Sequence, residues 1–126
     1  MRALGTKLRE MLGGHVGFWC PGCNQAHVIR LRIDTTNGWG YCGNPNAPTF
    51  TPSVLSRSGH YAPMHAGKDC WCTYEARTGN KPAFTCYQCH LFVTKGKILF
   101  LTDCTHALAG QTVDLPDFPE DWGTSP

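Results

Sequence analysis

The sequence predicts a small α+β domain, mainly β, built on an antiparallel sheet with a short N-terminal helix and one long loop. Three observations predict it. The chain has 126 residues, enough for a single domain over 1–126. Its clearest periodicity is two: Ile29, Leu31 and Ile33 alternate with Val28, Arg30 and Arg32. It also holds 14 Gly, 9 Pro and 8 Cys, a composition of turns and cross-links rather than of long helices.

The elements follow in order. Leu4, Leu8, Met11 and Leu12 share one helical face, so residues 2–12 are expected to form a helix ended by Gly13-Gly14. His15 to Trp19 and His27 to Ile33 read as strands, and Asn37-Gly38 as a turn before Trp39-Gly40-Tyr41. The proline-rich run 44–52 cannot be helical and is expected to run extended over the domain, anchored by Phe50. Val54 and Leu55 are expected to add a short edge strand. Residues 56–85 read as a loop insertion with little apolar periodicity, which needs an ordering device of its own. Residues 92–101 read as a hairpin turning at Lys95-Gly96. Thr105 to Gly110 is expected to make one helical turn, and 115–126 an extended tail.

Charge and hydropathy exclude several classes. Eleven Lys and Arg stand against nine Asp and Glu, a net charge of +2 with no basic run. No stretch of about 18 apolar residues marks a membrane span. The first residues lack the apolar region of a secretory signal, so a cytoplasmic location is expected. In a reducing compartment the cysteines are metal ligands before they are disulfides.

Their spacing agrees. Cys20-Pro21-Gly22-Cys23 is a knuckle that can put two thiolates on one metal, and Cys86-Tyr87-Gln88-Cys89 is a second pair at that spacing. The interval between them far exceeds the usual ~15–20 residues, so spacing alone does not assign them to one ion. Chain geometry suggests two sites. Four of Cys20, Cys23, Cys89, His90, Cys104 and His106 would form a core site of zinc-ribbon type, from a knuckle and a hairpin. Cys70, Cys72 and Cys86, with His60 or His65, would form an accessory site ordering the long loop. One or two zinc ions are therefore expected, with Cys42 left over. A thioredoxin-like redox role for Cys20 and Cys23 is disfavoured, because a strand and not a helix follows them.

The segments CPGC (20–23), PTFTPS (48–53), CHLFVTKGKILFLTDCTHALAG (89–110) and VDLPDFP (113–119) resemble a family of small phage and prophage proteins. Some of these carry the description ammonia monooxygenase. The same Cys pair and hairpin resemble a wider family of presumed zinc-binding proteins, some encoded beside bacterial ubiquitin-like conjugation genes. The resemblance covers most of residues 14–119 and implies a phage-encoded zinc-binding fold without a known reaction. Shorter relatives lack most of residues 58–85, which agrees with a separate accessory site. Copper oxygenase chemistry does not follow, since a Cys-rich donor set favours zinc. Nucleobase deamination fails as well, because no His-x-Glu accompanies the Cys pair.

The sequence reading leans away from an enzyme. It favours a binding or adaptor module toward a host or phage protein, including a defence protein, with Trp71, Tyr74, Tyr87 and Trp122 as contacts. The alternative is a zinc hydrolase with an open metal position and Asp103 or His106 as base; His27 is a further candidate base. A nucleic-acid-binding zinc ribbon using Arg30 and Arg32 is weaker, given the near-neutral charge.

Overall fold

The computed structural model describes residues 2–32, 38–62, 70–82 and 85–120. Two antiparallel sheets carry the fold. The first has the order β1 (Arg2–Leu4), β2 (Leu8–Met11), β3 (His15–Cys20), β4 (Gln25–Arg30). The second has the order β5 (Gly40–Tyr41), β6 (Phe50–Ser58), β7 (Tyr87–Thr94), β8 (Lys97–Phe100), β9 (Thr112–Asp114). The helix α1 (Trp71–Thr78) follows a 3-10 turn at Gly59–Tyr61. Among the described residues no helix is long and apolar enough to cross a membrane.

The expected N-terminal helix does not form; residues 2–11 are a hairpin. Leu4 pairs with Leu8 across a turn in which Gly5 takes a positive φ of 64°. The reason is competition. An isolated helix of this length is marginal in water, whereas β2 gains a full ladder on β3 and buries Leu8 completely. Leu12, the fourth member of the supposed helical stripe, is 95% exposed.

The other elements depart less from expectation. Lys95 and Gly96 both have positive φ, as a two-residue hairpin turn requires. Val54 and Leu55 lie not on an edge but within the nine-residue β6, between β5 and β7. Residues 105–110 form a run of tight turns rather than a helix. The insertion holds α1, closed by Gly79 in the left-handed conformation. The tail is no loose arm as far as it is described. Leu115 is fully buried, and Phe118 packs edge-on against Trp19, under the Arg9 guanidinium. The turn position Asn37, the contact candidate Trp122 and the ligand candidate His65 lie outside the described residues.

The core lies between the sheets. Leu8, Val16, Phe18 and Ile29 come from the first; Phe50, Val54, Leu91, Val93, Ile98 and Phe100 come from the second. Phe18 stacks on Phe50 at 6.0 Å between ring centroids, joining the two layers. Phe18→Ala should therefore cost about 3–5 kcal/mol, measured as a lower urea midpoint at unchanged slope.

Candidate active site and metal centres

Two clusters of Cys and His form where strands end. In each, the four ligand atoms lie within 4.8 Å of one another. The core cluster is Cys20, Cys23, Cys89 and His106. Cys20 closes β3, Cys23 follows in the knuckle turn, Cys89 lies on β7 and His106 in the turns after β8. Cys20 and Cys89 sulfurs are 3.9 Å apart, and Cys89 Sγ is 3.4 Å from His106 Nε2. Gly22 lets the His106 ring close over the knuckle, since a Cβ there would fall 2.3 Å from it.

The electrostatics of this cluster ask for a cation. Hydrogen bonds from Cys23 and Cys89 hold the Cys20 thiol far below its usual range. The same sharing with Cys20 pushes Cys23 up to about 12, and it also raises Cys89. One thiolate is thus stabilised at the expense of its neighbours' ionisation. A divalent ion would let all three ionise. Three thiolates and one imidazole are a donor set that fits zinc.

The accessory cluster is His60, Cys70, Cys72 and Cys86. It joins the 3-10 turn, both residues at the start of α1 and the approach to β7. Cys72 Sγ lies 3.8 Å from His60 Nδ1. Sharing with Cys86 raises the Cys72 thiol to about 11. Cys86 is brought down to about 6: desolvation raises it, but backbone N–H groups of His60 and Cys72 outweigh that. In metal-free protein at pH 7, iodoacetamide should alkylate Cys86 ahead of Cys72. Zinc should protect both, as read by peptide mass mapping. Cys42 joins neither cluster; it is exposed and accepts a hydrogen bond from the Thr49 N–H at 3.3 Å.

Two core-site candidates stand elsewhere. Cys104 is buried, accepting the His90 N–H at 3.3 Å and donating to the His90 carbonyl at 3.2 Å. His90 points away from the sulfurs. Its Nε2 is 3.0 Å from Ser53 Oγ, and its Nδ1 is 3.2 Å from Asp103 Oδ2. Asp103 also accepts from the Gln88 side-chain amide at 3.1 Å. This is the Ser-His-Asp constellation, recognised by geometry and roles rather than by chain order. Asp103 thus faces His90, while His106 belongs to the sulfur cluster. His27 is buried against the Phe18 ring, and its Nε2 lacks a hydrogen bond among the described residues.

Local chain features set this geometry. Between the pairs Phe50–Val93 and Val54–Leu91 the register shifts, so Thr51 to Ser53 face the single residue Phe92. Pro52 fits such a bulge because it has no N–H to give the ladder, and the Thr51-Pro52 bond is cis. The bulge aims Ser53 at His90. The Trp39 indole N–H donates to the Ser53 carbonyl at 3.2 Å and holds the strand there. Cys89 precedes His90 directly, and Asp103 lies between the β8 end and His106. The core cluster therefore ties together the two segments that present His90 and Asp103.

Sequence reasoning placed His90 among metal ligands and missed Ser53. The available signal was a serine directly after a proline in an otherwise strand-like run, where a bulge presents a side chain outward. The contact candidates also differ in place. Tyr87 is engaged internally, its hydroxyl 2.9 Å from the Gln25 amide and 2.8 Å from Ser56 Oγ. Trp71 and Tyr74 pack on each other along α1. Arg30 and Arg32 are exposed.

No curated protein and no solved structure matches the chain. One family model does, over residues 5–101: the bacterial ubiquitination-like system serine protease, BubE. The match contains Ser53 and His90 and spans most of the chain, which belongs to the BubE family.

Proposed function

We propose that the protein is a serine hydrolase that cleaves an acyl bond at the tail of a ubiquitin-like protein. The observation that carries this is the pair of contacts at His90, 3.0 Å to Ser53 Oγ and 3.2 Å to Asp103 Oδ2. The family's description speaks of a serine protease in a bacterial ubiquitination-like system. This reading replaces the binding partner of an adaptor module, which the sequence favoured, with a protein substrate.

The residues divide the work as follows. Asp103 accepts a hydrogen bond from the His90 Nδ1–H, which stays protonated and leaves Nε2 as the acceptor facing Ser53. Ser53 Oγ bonds to the substrate carbonyl carbon while its proton passes to Nε2. The adduct collapses with the C–N bond breaking, and His90 returns that proton to the leaving amine. Water, deprotonated by the same His90, then splits the Ser53 ester and restores the hydroxyl.

Metal has a structural part in this reading. Cys20, Cys23, Cys89 and His106 would hold one zinc ion, and His60, Cys70, Cys72 and Cys86 a second. A closed four-ligand zinc supplies cross-linking and no reacting water. It would fix His90 and Asp103 relative to Ser53.

The test is labelling by a fluorophosphonate, which reacts with an activated serine. Peptide mapping should find the adduct on Ser53, and Ser53→Ala or His90→Gln should abolish it. Absence of labelling in the zinc-loaded protein would overturn the hydrolase. A metal-built binding module toward a host or phage macromolecule would then be the better reading.

A further inference from the structure

The first sheet ends in an open edge. Its order finishes at β4, whose residues pair on one side with β3. On the other side, among the described residues, only the end is taken, where Leu31 bridges to Trp39. Gln25 to Ile29 instead line one wall of a groove of about 350 Å³. Val54, Leu55 and Ser56 of β6 line the opposite wall, together with Trp39 and with Tyr87, whose hydroxyl meets Gln25 and Ser56. Exposed edges of this kind are normally short, charged or covered. Here the groove carries exposed apolar side chains on both walls: Val28 of β4 is 47% exposed and Leu55 of β6 is 41% exposed.

The groove opens beside the triad. Leu55 is the next outward residue after Ser53 on β6 and pairs directly with His90. Trp39, which also lines the groove, donates to the Ser53 carbonyl. A bond attacked by Ser53 must sit within about 3–3.5 Å of its Oγ. The few residues flanking that bond rise about 3.3 Å each when extended. Two or three such residues reach from Ser53 past Leu55 into the groove that β4 lines.

We propose that this groove is the substrate-binding cleft, and that it takes an extended peptide as an added strand on the β4 edge. Backbone hydrogen bonds to β4 hold the peptide irrespective of its sequence. An apolar side chain close to the scissile bond packs on Val28, Leu55 and Trp39. The preferred substrate is thus an extended, apolar tail segment. A folded surface does not fit, because only an extended backbone can pair with a strand edge. This inference rests on the serine-hydrolase reading.

The experiment compares two N-acyl peptide aminomethylcoumarin amides, one with leucine and one with aspartate at the positions preceding the cleaved residue. Turnover is expressed relative to the rate of fluorophosphonate labelling of Ser53 in the same preparation. The wild-type protein should prefer the leucine peptide by about 10-fold or more. Val28→Asp and Leu55→Asp, both at exposed positions, should remove most of that preference, while Leu12→Asp, remote from the groove, should retain it. Equal turnover of both peptides by a wild-type protein that labels at Ser53 would overturn the cleft alone. So would Val28→Asp and Leu55→Asp variants with the wild-type preference. A wild-type protein that does not label would overturn the hydrolase reading, and the cleft with it.

Discussion

Replacing Ser53 by alanine should lower kcat/KM on a cleavable substrate by a factor on the order of 10⁴–10⁶ and leave the fold intact. In the proposed mechanism the acyl bond forms on this hydroxyl, the one that meets His90 Nε2 at 3.0 Å. His90 is partly exposed, its side chain at 26%, so water can replace the missing partner and stability should move by less than about 1 kcal/mol. The melting curve and the hydrolysis rate therefore separate in this variant. Asp103→Asn should fall less far, on the order of 10²–10⁴, because an amide can present its NH₂ to Nδ1 and favour the unproductive tautomer. Gln88 would still hold the side chain in place through the Asp103 backbone carbonyl, which it meets at 3.1 Å. A Ser53→Ala protein retaining a tenth of wild-type turnover would show that another group is the nucleophile.

Replacing Cys89 by serine should have the opposite profile, with the fold failing before the chemistry. Cys89 is fully buried at the centre of the core cluster and directly precedes the base. Structural zinc contributes roughly 10–16 kcal/mol in small zinc-built domains. A domain's whole stability is about 5–15 kcal/mol. Loss of one ligand in four should thus remove one equivalent of zinc and broaden or abolish the thermal transition. Hydrolysis and Ser53 labelling would fall together with it. Cys72→Ser should also remove one equivalent but spare the sheets, since its cluster lies at the insertion and Cys72 is exposed. Elemental analysis beside calorimetry distinguishes the two. Full zinc content and normal melting in Cys89→Ser would show that the core ligands are assigned wrongly.

Features that depend on local chemistry were legible in the chain. Lys95-Gly96 demands a tight turn whatever surrounds it, and the hairpin stands where the two apolar runs put it. The knuckle at Cys20 to Cys23 needs only its own glycine and two thiols. Eight cysteines with little charge likewise pointed to clusters able to hold a metal, and Cys20, Cys23, Cys89 and His106, and His60, Cys70, Cys72 and Cys86, come together as two such groups; His65 lies outside the described residues. The N-terminal segment misled because a short apolar stripe has no strong preference of its own. The neighbour that decided its state was the β3 edge, which the segment itself does not reveal.

By itself, then, the sequence determined a mainly β domain with two Cys/His clusters, because turn signals, alternation and ligand spacing are properties of neighbouring residues. Only the tertiary structure decided that His90 stands between Ser53 and Asp103 and outside both Cys/His clusters. Ser53, His90 and Asp103 are far apart in the chain. They meet because a bulge on β6 turns one side chain toward β7, and because the core cluster ties β7 to the turns after β8. His90 and Cys89 point to opposite faces of one strand. That alternation separates the chemistry of neighbouring residues, and it takes effect only once β7 is paired between β6 and β8.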